Sequence, residues 1–248
     1  MILERSYQEW LAKRGTSGGV AHAMVSDIAK KLETLETDDL VWLADSLTDA
    51  QRKFFSAALF SETGTLPEAL YEPMLRAAVY EPSPLQAHAF VEPCVKSFGV
   101  KRVHQTLMDF LGSGSNYERT GAVNALHWCG ERKTGNEIGR SQADAEMVKL
   151  AEIQHRLYLK TFVENTDVEL RRALITHTDL NVLAPTMPIQ ELIDKVVKIA
   201  RAHPDQYIRN RVEVQLGRAT SQYTLPARKA ISGIMHRRKT SWWKQLWQ

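Results

Sequence analysis

Apolar residues recur at the helical period along almost the whole chain, and no stretch alternates in the manner of a strand. Leu3, Tyr7, Trp10 and Leu11 share one face; Met24, Ile28, Leu32 and Leu35 share another. A third set, Leu40, Leu43 and Leu47, follows Thr37, which is placed to cap it. Thr48 to Gln51 has capping-box spacing, ahead of Phe54, Phe55, Ala58 and Leu59. Pro67, Pro84, Pro188 and Pro226 each precede a helical pattern, where a missing N–H is harmless. Pro73 and Pro93 fall inside such patterns and are expected to kink or split them. Gly112 to Ser115 reads as a linker and Gly130 to Gly139 as a polar loop. Ser141 then opens the longest helix, through Met147, Leu150, Gln154, Leu157 and Tyr158 toward Phe162. The reading is an all-α protein with short connections.

A chain of 248 residues, 44% hydrophobic and 25% charged, can bury a real core and is not expected to be disordered. No apolar run approaches the roughly 18–20 residues that span a bilayer. Charges at Glu4, Arg5, Glu9, Lys13 and Arg14 interrupt any secretory signal near the start. Cys94 and Cys129 lack metal-type spacing, so both are expected as buried thiols in a reducing cytoplasm. The formal net charge of +3 is unevenly spread. Residues 209–248 carry nine Lys or Arg against Glu213 alone, while residues 33–92 carry eleven acids against Arg52, Lys53 and Arg76. Solvated helix faces account for this, and so does a bipolar surface that steers a charged partner.

The chain also resembles itself. Tyr117, Arg119, Ala122 and Leu126 stand at the same offsets as Tyr207, Arg209, Val212 and Leu216. Val168 to Ile175 is a looser copy and Pro84 to Phe90 a weaker one. Each clear copy follows a turn, at Ser115-Asn116, Asn165 to Asp167 and His203 to Asp205. Arg119, Arg171 and Arg209 are 52 and 38 residues apart, which suits a helix-pair repeat with an insertion in the first interval. An irregular helical bundle is the alternative. Residues 84–236 thus resemble the HEAT-repeat family, in which an Asp- and Pro-containing turn leads to an apolar residue, an Arg, then an Ala and a Leu. Asp205, Ile208, Arg209, Val212 and Leu216 match with Val for Ala; Arg119, Ala122 and Leu126 match with Glu118 in the apolar place; Asp167, Leu170 and Arg171 match before the third copy drifts. The resemblance implies stacked antiparallel helix pairs, an α-solenoid, over 81–236, an irregular N-terminal segment 1–80 and a basic, Trp-rich tail 237–248. The arginines are expected over the seam between repeats, donating to carbonyls or acids of the next unit.

Catalytic signals are sparse. Glu152 and His155 have Glu-x-x-His spacing, but a di-iron bundle needs two such motifs and further carboxylates. His127-Trp128-Cys129 groups reactive side chains that diverge by roughly 100° per residue on a helix. No nucleophile elbow, phosphate loop or zinc-protease motif occurs, and no metal or cofactor is expected.

The resulting expectation is a non-enzymatic, cytoplasmic protein-binding chain, an adaptor, assembly or immunity-type protein. It would take an acidic protein partner on the concave side formed by 117–128, 168–178 and 206–217. Asn124, Arg172 and Arg211 are the contact candidates there, joined by Arg237, Arg238, Trp243 and Trp247 of the tail. That tail is also compatible with a capping helix or an interfacial membrane helix. Two other classes stay open: nucleic-acid binding through the basic helices with Trp stacking, and a helical metalloenzyme built on Glu152 and His155.

Overall fold

The computed structural model describes residues 2–13, 18–31, 35–129, 140–182 and 185–217. The fold is all-α, as the periodicity predicts, with no strand among the described residues. The helices are α1 (Ile2–Lys13), α2 (Gly18–Lys31), α3 (Thr37–Ser46), α4 (Lys53–Thr63), α5 (Tyr71–Val79), α6 (His88–Phe98), α7 (Val100–Ser113), α8 (Asn116–Leu126), α9 (Arg140–Glu164), α10 (Val168–His177), α11 (Met187–Arg201) and α12 (Gln206–Gln215). Two short 3-10 turns, Glu68–Leu70 and His127–Cys129, join them. None of the described helices is long and apolar enough to cross a membrane. The chain divides into two compact units, parted within α5 between Ala77 and Ala78.

The first unit closes on four aromatic rings. Tyr7, Trp10, Trp42 and Phe55 meet with centroids 5.3–6.4 Å apart, joining α1, α3 and α4. All four are buried, and stacking at such distances adds to the area they remove from water. The Arg52 guanidinium lies 5.6 Å from the Tyr7 ring centre and 5.9 Å from that of Trp42. The Glu4 carboxylate accepts from Gln8, from the Trp42 indole at 3.0 Å and from Arg52, and the first two hold it below the usual carboxylate range.

Two expected caps are relocated. Glu36, not Thr37, is the N-cap of α3, and its N–H donates to Asp39 at 3.3 Å. Thr48 turns its hydroxyl back to the Asp45 carbonyl, while the Asp49 carboxylate takes the N–H groups of Gln51 and Arg52, both at 2.8 Å. The Asp49 carboxylate, which reaches one bond further than a Thr hydroxyl, closes the turn locally, and α4 begins only at Lys53. Pro73 sits in the first turn of α5, where no N–H is needed, and α6 continues through Pro93.

In the second unit α7 pairs with α8, α9 with α10 and α11 with α12. The helices α7, α9 and α11 neighbour one another in that order, as do α8, α10 and α12. At their starts α8 and α10 meet through Asn165, whose amide donates to Asn116 at 2.8 Å. At their opposite ends the rings of His127, just past α8, and His177, the last residue of α10, lie 5.0 Å apart, so the two helices run the same way. Between α10 and α12, Arg172 meets Asp205 and, four residues on, Thr176 meets Tyr207 and Arg211. The three arginine-bearing segments therefore lie side by side and point one way.

The expected linker at 112–115 is a tight corner. Gly114 ends α7, and a Cβ there would come within 2.6 Å of the Phe110 carbonyl oxygen. Gly121 is required for close approach, since a Cβ would fall 1.8 Å from the Val79 carbonyl oxygen. Part of the inserted length in the first interval is in α9, which has 25 residues against 15 in α11. The polar stretch 130–139 and Pro226 lie outside the described residues. Pro84 to Phe90 does not repeat the pattern: Ala87 makes no side-chain cap, and Val91 stands where the arginine would be.

Candidate functional site

Three helices of the second unit begin with the same local device. Ser115, Asp167 and Asp205 are the N-caps of α8, α10 and α12, and their side chains accept from the N–H groups of Glu118, Leu170 and Ile208. Four residues past each cap stands an arginine that turns back to the exit of the preceding helix. Arg119 donates to the Gly112 carbonyl at 3.1 Å and Arg171 to the Phe162 carbonyl at 3.1 Å. Arg209 donates to the carbonyls of His203 and Pro204, both at 2.6 Å. A helix end leaves its last carbonyls without partners, and a guanidinium satisfies them where a neutral side chain cannot reach. The arginines thus close their own helix pair; they do not reach into the next one, as the sequence suggested. Seven residues past each cap, Ala122, Leu174 and Val212 are fully buried.

The seam between α10 and α12 is polar. Arg172 bridges Glu169 at 2.8 Å and the cap Asp205 at 2.5 Å. That guanidinium, together with the Ile208 N–H, holds the Asp205 carboxyl below its ordinary range. Thr176 donates to the Arg172 carbonyl, which leaves the Tyr207 hydroxyl to donate to Thr176 at 2.9 Å. Arg211 and Gln215 donate to the Thr176 carbonyl, and Gln215 also to that of Ile175. Arg172 and Arg211, singled out as contact candidates, are engaged in this seam. Asn124 is half-buried on α8. Arg237, Arg238, Trp243 and Trp247 lie outside the described residues.

What this edge presents outward is aromatic. Tyr117 is 55% exposed, Tyr207 46% and Tyr80 45%. Their rings are nonetheless held. The Tyr80 hydroxyl donates to Glu118 at 2.8 Å, Tyr117 donates to the Tyr80 carbonyl at 3.3 Å, and the two rings lie 5.6 Å apart. Tyr207 is anchored on Thr176. Tyr117 and Tyr207 were legible as matching positions of the internal repeat, but that pattern does not distinguish a core ring from an exposed one.

The catalytic candidates do not assemble. Glu152 is exposed, and His155 lies half-buried with its Nε2–H on the Asp179 carbonyl at 2.7 Å. Among the described residues no three His, Cys, Asp or Glu side chains converge as metal ligands. Cys94 and Cys129 are both buried and free, as expected. Burial pushes the Cys129 thiol up to about 12 and that of Cys94 higher still, so neither is a nucleophile. Trp128 donates its indole N–H to the Pro84 carbonyl at 2.7 Å. Comparison with family models, with curated proteins and with solved structures gives no match for the chain.

Proposed function

We propose that this chain is a non-enzymatic helical-repeat protein, HEAT-like in type, that binds an acidic protein partner at the edge where α8, α10 and α12 begin. The observation that carries the reading is the set of exposed but hydrogen-bonded tyrosines, Tyr80, Tyr117 and Tyr207. Tyrosine is enriched among the residues that dominate binding energy. A ring already held by its hydroxyl loses little side-chain freedom on docking, which lowers the entropic cost of association. The helices beneath are capped and tied at both ends of their turns, so the edge is a rigid platform. The acidic character of the partner rests on the nine basic residues of 209–248. An adaptor, an assembly factor or an immunity-type protein would each fit such a surface.

The test is partner capture by the full chain and by Tyr117→Ala/Tyr207→Ala. Both rings are half in water, so the double variant keeps its helical circular-dichroism signal. Capture of whichever protein the native chain retains is expected to fall by at least roughly tenfold. Unchanged capture sinks this surface. Sequence-tolerant oligonucleotide binding that survives physiological salt replaces the protein partner with nucleic acid.

A further inference from the structure

Tyr80 and Tyr117 form one surface at the start of α8. Their rings lie 5.6 Å apart at 36°, too close to admit a third group between them. Each residue is about half exposed, and the hydroxyls are turned inward. Tyr80 donates to Glu118 Oε1 at 2.8 Å, and Tyr117 donates to the Tyr80 carbonyl at 3.3 Å. With the polar ends engaged, the surface left to a partner is mainly ring.

Beside those rings a carboxylate is fixed in place. Glu118 Oε2 accepts from the Ser115 N–H and the Ser115 hydroxyl, both at 2.8 Å, while Oε1 holds Tyr80. These three donors are neutral, and together they keep Glu118 from swinging away. A phenol that donates to a carboxylate is polarised, with more electron density in its ring. An aromatic face attracts cations through its quadrupole, and a carboxylate bonded to that ring adds Coulomb attraction for the same sign of charge. A second carboxyl, that of Glu81, follows Tyr80 in the chain and accepts from the Ser83 N–H. The arginines next to the pair in sequence are committed elsewhere. Arg119 holds the Gly112 carbonyl, and Arg76, one turn before Tyr80, holds Glu72 at 2.9 Å. Tyr207, the matching position of α12, lacks the arrangement. Its hydroxyl meets Thr176 and not a carboxylate, and Arg172 and Arg211 share that seam. The combination of paired rings and a carboxylate belongs to the α8 corner.

We infer that this corner takes an arginine side chain of the protein partner, its guanidinium plane stacked on the Tyr80 and Tyr117 rings and its charge facing Glu118. A guanidinium is flat, weakly hydrated and able to stack, which suits an open ring surface better than the compact, strongly hydrated ammonium of lysine. An acidic side chain would be repelled by Glu118. The inference rests on the protein-binding reading of this edge and names what the partner brings to one end of it; the acidic character of the partner concerns its remaining surface.

The probe is the peptide acetyl-Gly-Arg-Gly-amide, titrated into the full-length chain with ¹³C-labelled tyrosine while the Tyr80 and Tyr117 ring signals are followed by NMR. The same peptide with citrulline keeps the shape and loses the charge; lysine and glutamate versions complete the set. The arginine peptide is expected to shift both rings saturably, the citrulline and lysine peptides to bind at least about threefold more weakly, and the glutamate peptide not to bind. Glu118→Gln keeps an acceptor for Tyr80 and a residue type that serves the capping box, so it removes the charge alone. It should weaken arginine binding at least about threefold. Tyr117→Ala, at a half-exposed position, should abolish the Tyr80 shift; both variants should keep the helical circular-dichroism signal. Absence of a saturable shift with the arginine peptide, equal binding of the citrulline or lysine peptide, tighter binding of the glutamate peptide, or unchanged affinity in both variants overturns the inference. Partner capture undiminished by Tyr117→Ala/Tyr207→Ala removes the reading on which the inference rests. Capture lost in that double variant, with citrulline binding as well as arginine, removes the inference alone.

Discussion

Residues 2–77 gather four aromatic rings at one point, whereas residues 78–217 bury Phe90, Tyr158 and Phe162 among aliphatic side chains, with turns tied by arginines. In the first unit Phe55 touches Tyr7, Trp10 and Trp42 at once, so three helices share a single centre. In the second unit Arg119, Arg171 and Arg209 each act within one helix pair, and the pairs meet their neighbours along α8, α10 and α12. A shared centre couples every residue that builds it. A local device repeated along a row confines each change to one pair and its neighbours. The lesson is that similar helices, by composition, can carry very different coupling between positions.

Substitutions in the aromatic centre test this most severely. Phe55→Ala is expected to cost about 3–5 kcal/mol by chemical denaturation. Combined with Trp10→Ala the loss should fall well short of additive, because the two rings lie 5.3 Å apart and share the same cavity. Additivity within roughly 0.5 kcal/mol would break the comparison.

Acid should weaken the second unit through His177. Its imidazole is held down to about 4 in the folded chain, so the unfolded chain takes up the proton first as the pH falls. Stability contributed by the neutral ring is complete above about pH 6.5 and is lost progressively toward pH 4, by up to about 3 kcal/mol. His177→Gln should flatten denaturation midpoints across that window. An undiminished slope would assign the acid sensitivity to another group.

The arginine ties give a smaller effect. Arg171→Met leaves the Phe162 carbonyl without its donor in a buried setting and should cost about 1–3 kcal/mol. Arg119→Met and Arg209→Met, at half-exposed positions, should each cost about 1 kcal/mol and add when combined. Strong coupling between those two would show that the row behaves like the aromatic centre after all. Smallest of all is the Arg172–Asp205 pair. A double-mutant cycle with Arg172→Gln and Asp205→Asn should return a coupling smaller than the loss from either Arg119→Met or Arg209→Met, since the arginine side chain is 41% exposed and Asn preserves the cap. The coupling should shrink in high salt.

The helical class, the longest helix and the alignment of Arg119, Arg171 and Arg209 were legible because each depends on contiguous residues: apolar spacing, a polar cap and a residue four places on. The burial of Cys94 and Cys129 was legible for the same kind of reason, from residue type alone. The caps at Thr37 and Thr48 were misplaced because neighbouring Glu36 and Asp49 compete for the same N–H groups, and only backbone geometry chooses between them. Arg172 and Arg211 were legible only as charges on the arginine-bearing helices; their partners across the seam, Asp205 and the Thr176 carbonyl, come from packing.

The sequence by itself determined that the chain is helical and that a turn followed by an arginine recurs three times. Only the tertiary structure decided that those arginines satisfy the exit of the preceding helix, that Tyr80, Tyr117 and Tyr207 face outward while held by their hydroxyls, and that His104 meets Gln154 from fifty residues away. The physical reason is range. Helix periodicity and capping are fixed by hydrogen bonds spanning about four residues. Which carbonyl a guanidinium reaches, and which buried polar atoms meet, follow from how separate helices pack.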